Sequence, residues 1–126
     1  MAQSLIHLDT SFLIRALIPG TGEDRDLQQW INFGELLRIS AVAWTEFLCG
    51  PLGASERSFA STVLGEPVPF ASEDAARAAA LFNRTGRRRG SLTDCMIAAA
   101  AIGADASLAT SNRSDFLRFQ DLRIAT

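Results

Sequence analysis

Short apolar runs alternate with longer helix-patterned stretches along this chain, and that alternation leaves few ways to fold it. Leu5-Ile6-His7-Leu8 has the length and composition of a buried strand. Asp9-Thr10-Ser11 follows at once, and then a helical run, Phe12–Leu17. Pro19-Gly20-Thr21-Gly22 breaks that helix. Glu23–Phe33 starts a second one, with acids in its first turn and Leu27, Trp30 and Ile31 on one face. Leu37–Ile39 reads as a second strand, and Ser40 is placed to cap a helix over Ala41–Cys49 that Gly50-Pro51 ends. Ser55–Leu64 is a further helix, whereas Pro67-Val68-Pro69-Phe70 is at best an edge strand because of its prolines. A long helix over Ser72–Arg84 leads into the basic turn Arg87-Arg88-Arg89-Gly90. Leu92–Ile102 is a nearly wholly apolar helix closed by Gly103, and Ala106–Ala109 and Leu122–Ile124 supply the last strands.

Strands separated by helices predict right-handed βαβ units, hence a central parallel sheet with α-helices on both faces. A chain of 126 residues is long enough for one such core and too short for two, so a single α/β domain over residues 1–126 is expected. No apolar run approaches the roughly 20 residues of a membrane span. The apolar stretch before Asp9 is too short for a signal peptide, and a cytoplasmic protein is expected.

Several chemistries drop out on composition. All 12 basic residues are arginine, which removes the Walker lysine, Schiff-base catalysis and the lysine of receiver domains together. The single histidine, His7, cannot build a paired-histidine zinc site, and it reads as a strand residue satisfied by hydrogen bonds. Cys49 and Cys95 both lie in apolar helical surroundings, where a free thiol behaves as a small hydrophobe.

The informative residues are acids in places where acids are out of character. In a parallel sheet, ligands bind beyond the carboxyl ends of the strands. Asp9 directly follows the first strand, and Asp115 follows the strand Ala106–Ala109 by a short polar stretch. Glu46 stands among Trp44, Phe47 and Leu48 on a helix whose composition is that of a buried one. Asp94 is the one charged residue between Arg89 and Asp105. Capping offers another account of the aspartates, and Ser91-x-x-Asp94 has the spacing of a capping box. For Glu46 the alternative is a solvated helix face. If the four acids converge, they need a counter-charge. An oxygen-only set favours a hard divalent cation, magnesium or manganese, with Ser11, Thr110 and Asn112 adding neutral oxygens.

Four segments carry a resemblance: Leu8-Asp9-Thr10-Ser11-Phe12-Leu13-Ile14, Thr45-Glu46-Phe47, Asp94 through Ala101, and Thr110-Ser111-Asn112-Arg113-Ser114-Asp115-Phe116. In this order and spacing the chain resembles a PIN domain, and specifically the VapC-type toxin ribonucleases of bacterial toxin–antitoxin pairs. The resemblance implies a metal-dependent endoribonuclease in which Asp9, Glu46, Asp94 and Asp115 hold Mg²⁺ or Mn²⁺ and activate water against a phosphodiester. Asp121 is the alternative fourth acid. Ser11, Thr110 and Asn112 match supporting polar positions. It also implies a VapB-type antitoxin as partner and a homodimer; Phe12, Leu13, Trp30, Trp44 and Phe47 are either that binding surface or core. A housekeeping RNA-processing PIN nuclease and a catalytically inactive RNA- or protein-binding PIN module are the alternatives.

Charge agrees with an RNA substrate. Setting the four candidate acids aside leaves ten acids against twelve arginines, so the remainder of the chain is slightly basic. Arg84, Arg87, Arg88 and Arg89 cluster just before the Asp94 helix, and Arg113 and Arg118 flank Asp115, where they can steer phosphates or simply be solvated.

Overall fold

In the computed structural model, which describes residues 4–125, β1 (Leu5–Leu8) lies inside a parallel sheet of order β2-β1-β3-β4. β2 is Leu36–Arg38, β3 is Ser107–Ala109 and β4 is Arg123–Ile124. The ends of the expected domain, residues 1–3 and 126, lie outside the described residues. β1 is flanked on both edges, Ile6 pairing with Leu37 on one side and with Ser107 on the other. A strand so placed is covered on both faces, which is why its sequence is a continuous apolar run rather than an alternating one.

The side on which strands are added reverses at β1. The first crossover, α1 (Thr10–Ala16) and α2 (Gly22–Asn32), leads to β2 on one side. The second leads back across to β3 through α3 (Ala41–Leu48), α4 (Ala54–Leu64), α5 (Ser72–Arg84) and α6 (Leu92–Gly103). With right-handed crossovers this reversal puts helices on both faces and opens a crevice beyond the carboxyl ends of β1 and β3. A one-turn helix, α7 (Arg113–Phe116), joins β3 to β4.

Caps fall where short polar side chains precede helical runs. Asp9 caps α1, Thr21 Oγ1 accepts from Asp24 N–H at the start of α2, and Ser40 Oγ accepts from Ala43 N–H at the start of α3. Gly65, at φ +69°, ends α4 in a conformation that a β-carbon would strain. Ser91 does not close a capping box with Asp94. Its hydroxyl instead donates to the Arg88 carbonyl.

Other expectations need correction. β2 begins one residue earlier than its apolar run suggests, and Ile39 beyond it is fully buried. Pro67–Phe70, by contrast, behaves as its prolines require: it contributes only a single bridge, Val68 to Ser40, because a proline on each side of Val68 has no N–H to extend a ladder. The apolar helix α3 is not enclosed: only Ala43 and Phe47 are buried, Leu48 is exposed, and so is Glu46. Cys49 at its end is exposed, while Cys95 is buried; both are free thiols. Phe12, Leu13 and Phe47 belong to the core, and Trp30 and Trp44 are half-buried against it. The apolar α6 is enclosed as its composition demands, with Cys95 and Ile97 through Ala101 buried.

His7 is buried but not satisfied. Its Nδ1 has no hydrogen-bond partner among the described residues. Burial, and then the positive charge of Arg38, lower its pKa to about 4, with Asp74 opposing. His7 is therefore held neutral inside the sheet at neutral pH. No helix among the described residues is long and apolar enough to cross a membrane.

Candidate active site

Asp9 occupies the junction where β1 stops and α1 starts. Its N–H donates to the Ala109 carbonyl at 2.8 Å, continuing the β1–β3 ladder by one step. The extended backbone at Asp9 then lets its side chain turn back over the first turn of α1, where Oδ1 accepts from Thr10 N–H at 2.8 Å. Oδ2 accepts from the hydroxyls of Ser11 and Thr110, each at 2.8 Å. Asp9 is 4% exposed, and these three donors satisfy its carboxyl oxygens at that depth. A carboxylate offers about four lone-pair sites, so acceptor capacity remains.

The turn after β3 builds the other wall. Thr110 is buried, its Oγ1 accepts from Asn112 N–H at 3.0 Å, and Ser111 N–H donates to Ser11 Oγ at 3.1 Å. Asn112 thus contributes its backbone; its side chain makes no capping bond to α7. Asp115 is not a cap either. It lies within the first turn of α7 and is exposed.

Glu46 joins from α3 through a residue that sequence patterning did not single out. The Thr10 hydroxyl shares its proton between the Ala43 carbonyl at 2.9 Å and Glu46 Oε1 at 3.1 Å. Thr10 therefore ties Glu46 to the residue whose amide holds Asp9. A second overlooked acid, Glu23 on α2, accepts from Ser111 Oγ at 2.7 Å and from Arg15 Nε at 2.9 Å. The Ser111 hydrogen bond, then Glu23's own backbone amide and Arg15, lower its pKa, so Glu23 is a fixed anion that anchors the turn.

Asp94 sits in the first turn of α6, half-buried, and is the most perturbed acid of the set. Its pKa rises to about 6, first through burial and then through the negative charges of Asp9, Asp115 and Glu46, with Arg118 the opposing influence. Charges from three distant stretches of sequence thus act on Asp94 at the carboxyl ends of β1 and β3. Asp121 lines a cleft with Arg84 and Arg118. Arg84, Arg87, Arg88, Arg89 and Arg113 are all exposed.

The donor chemistry fits a hard divalent cation: oxygen ligands only, uncompensated negative charge, and acceptor capacity left on Asp9. Spacing is looser than a finished cage. Among the described residues no group of three or more His, Cys, Asp or Glu side chains is gathered closely enough to hold a metal ion.

Among curated proteins nothing matches the chain. Among solved structures it is similar to VapBC2 from Rickettsia felis bound to a DNA fragment from their promoter, with TM-score 0.76 and 19% identity, covering 96% of this chain and 97% of that one. It is likewise similar to DNA-bound VapBC from Salmonella typhimurium, with TM-score 0.73 and 23% identity, covering 98% of each chain. FitAcB from Neisseria gonorrhoeae gives TM-score 0.70 and 21% identity over 96% of each. At these identities the likeness is one of fold. The family model for the PIN domain matches residues 6–122, from within β1 to the residue before β4, and the chain belongs to the PIN-domain family.

Proposed function

We propose that this protein is a Mg²⁺- or Mn²⁺-dependent endoribonuclease and the toxin half of a VapBC-type toxin–antitoxin pair. The observation that carries the reading is the convergence on the carboxyl ends of β1 and β3 of Asp9, seated by Ser11 and Thr110, and of Glu46, tied in by Thr10, beside a half-buried Asp94 on which the charges of Asp9, Asp115 and Glu46 act. Structural packing alone gives no reason to point like charges at one end of the sheet, whereas recruitment of a divalent cation does. Asp9 and Asp94 would hold the ion, with Glu46 and Asp115 completing the acidic set. A bound ion supplies Lewis-acid polarisation of water and of the phosphodiester oxygens. The chain's own work is positional. Ser11, Thr110 and the Thr10 amide fix the Asp9 carboxylate, Thr10 orients Glu46, and Glu23 with Ser111 holds the turn after β3 in place.

The toxin assignment rests on the fold shared with VapBC and FitAcB structures, and a VapB-type antitoxin is the proposed partner. Expression is expected to arrest growth, and co-expression of a small antitoxin encoded next to this gene to restore it. A housekeeping nuclease would show neither effect. For the chemistry, purified protein is incubated with RNA and Mg²⁺ or Mn²⁺, with and without chelator, beside Asp9→Ala. Cleavage that needs the ion and disappears in the variant is the expected result. Cleavage that survives both treatments refutes the assignment.

RNA reaches the site past exposed arginines. In the turn after α5, Arg87 donates to Asn83 Oδ1 at 3.1 Å and lies over the Phe82 ring, leaving its neighbours Arg88 and Arg89 to the solvent. Replacing Arg87, Arg88 and Arg89 together by serine should weaken RNA binding and flatten its salt dependence. Every phosphate that the protein no longer neutralises lowers the slope of log K against log salt by about 0.7 on single strands. An unchanged slope in a filter-binding titration would show the turn is only solvated.

A further inference from the structure

Arg118 stands apart from the other eleven arginines. It follows α7, its side chain is only 15% exposed, and Nη2 lies 4.0 Å from Asp94 Oδ2. Among the described residues this is the one ion pair made by any of the four acids. Nη1 donates to the Asp115 carbonyl, and the guanidinium lies over the buried Phe119 ring, 4.5 Å from its centroid. Yet Nε and Nη2 are buried with no hydrogen-bond partner. A guanidinium left this poorly satisfied is unfavourable by itself, and 4.0 Å is too long for a hydrogen bond to Asp94. What offsets that cost is charge: a cation held against the Asp94 carboxylate, which is itself raised in pKa by burial and by the neighbouring acids.

We propose that Arg118 is the built-in counter-charge of the acidic site, a resident cation that competes with the divalent ion for the same carboxylates. The idea rests on the metal-dependent reading above and adds a regulator to it. Phe119 and the Asp115 carbonyl hold the guanidinium at the rim of the site, close enough to screen Asp94 and too far to ligate it. The side chain also borders a cleft of about 270 Å³ shared with Arg84, Gln120 and Asp121, so it has room to withdraw when an ion takes its place. Arg118 therefore sets how much free Mg²⁺ or Mn²⁺ the enzyme needs.

The test is direct titration of the RNA-free protein with Mn²⁺, followed by calorimetry or by the paramagnetic signal of free Mn²⁺. Arg118→Gln is expected to bind Mn²⁺ about tenfold more tightly than the parent, the effect of removing one nearby like charge in a partly screened site. Arg118→Lys keeps the charge but lacks the planar face that stacks on Phe119, so its affinity should lie between the two. That ordering supports the proposal, and the lysine variant suffices if the glutamine variant does not fold. Unchanged or weaker Mn²⁺ binding in both variants overturns it. Weaker RNA binding with unchanged Mn²⁺ affinity also overturns it and makes Arg118 a phosphate-binding residue. Failure of the metal reading is distinguishable, because then the parent and Asp9→Ala bind Mn²⁺ equally poorly. A variant that still gained Mn²⁺ binding in that case would support the counter-charge alone; none gaining it would sink both.

Discussion

Asp94→Asn is expected to abolish RNA cleavage and, in the presence of chelator, to make the protein more stable. Removing a group that merely orients a metal ligand lowers metal affinity or activity by about 10- to 100-fold, so removing a ligand itself should exceed ~100-fold. The stability gain follows from the sign of the pKa shift. Asp94 titrates near 6 in the folded chain against an ordinary 3.8, so between these values the folded state binds more protons than the unfolded one. Stability then falls as pH rises from about 4 to 6, and the full penalty remains at pH 7. Its side chain is 32% exposed, and after allowance for solvent screening the penalty is about 1–2 kcal/mol. Asparagine removes the charge and keeps the shape. Denaturant unfolding at pH 7.5 with chelator measures the gain. A variant no more stable than the parent would show that the acids do not strain the fold, and one that cuts RNA at the parent rate would remove Asp94 from the reaction.

His7 should produce the opposite slope over nearly the same range. Its folded pKa of about 4 lies below the ordinary 6.5, so here the unfolded chain binds more protons and stability is lost as pH falls through the interval. The full effect is roughly 3 kcal/mol, a large part of what a domain of this size has. Wild-type stability between pH 4 and 6 is therefore the difference of two opposed titrations. Asp94→Asn should expose the His7 slope, making the variant lose stability in acid faster than the parent. His7→Leu should flatten the acid side, leaving the Asp94 slope of the other sign. Unfolding curves at half-unit steps from pH 4.5 to 7 separate these cases. Parallel curves for the parent and His7→Leu would mean that His7 does not titrate on unfolding in this range.

Much of this was legible in the sequence because local chemistry and final environment coincide. β1 and α6 read correctly since elements covered on every side must be apolar throughout. Ser40 and the prolines around Val68 act through the backbone within a few residues, so they also read correctly. The acids were visible as charges set in apolar stretches. What escaped depends on partners far along the chain. α3 has the composition of a buried helix, yet no local signal tells which of its faces finds cover, and Glu46 lies on the side that does not. α7 is four residues long, too short for any periodicity to register. Thr10 could have been flagged only by its place beside Asp9, since its link to Glu46 spans 36 positions. Glu23 looks like an ordinary acid in the first turn of a helix, and its bond to Ser111 spans 88. Arg118 was noted as a neighbour of Asp115, but nothing local distinguishes an arginine that reaches inward from one that faces water.

The pairing of Asp9 with Thr110 carries a consequence for biosynthesis. The two residues are 101 positions apart, and the hydroxyl that seats the carboxylate arrives in the turn that follows the strand beside β1. During translation Asp9, Glu46 and Asp94 are all polymerised before that turn. Contacts of such long range form only after the intervening segment has been made and the loop between them closed. A nascent polypeptide still tethered to its ribosome short of β3 thus carries the acids without the scaffold that arms them.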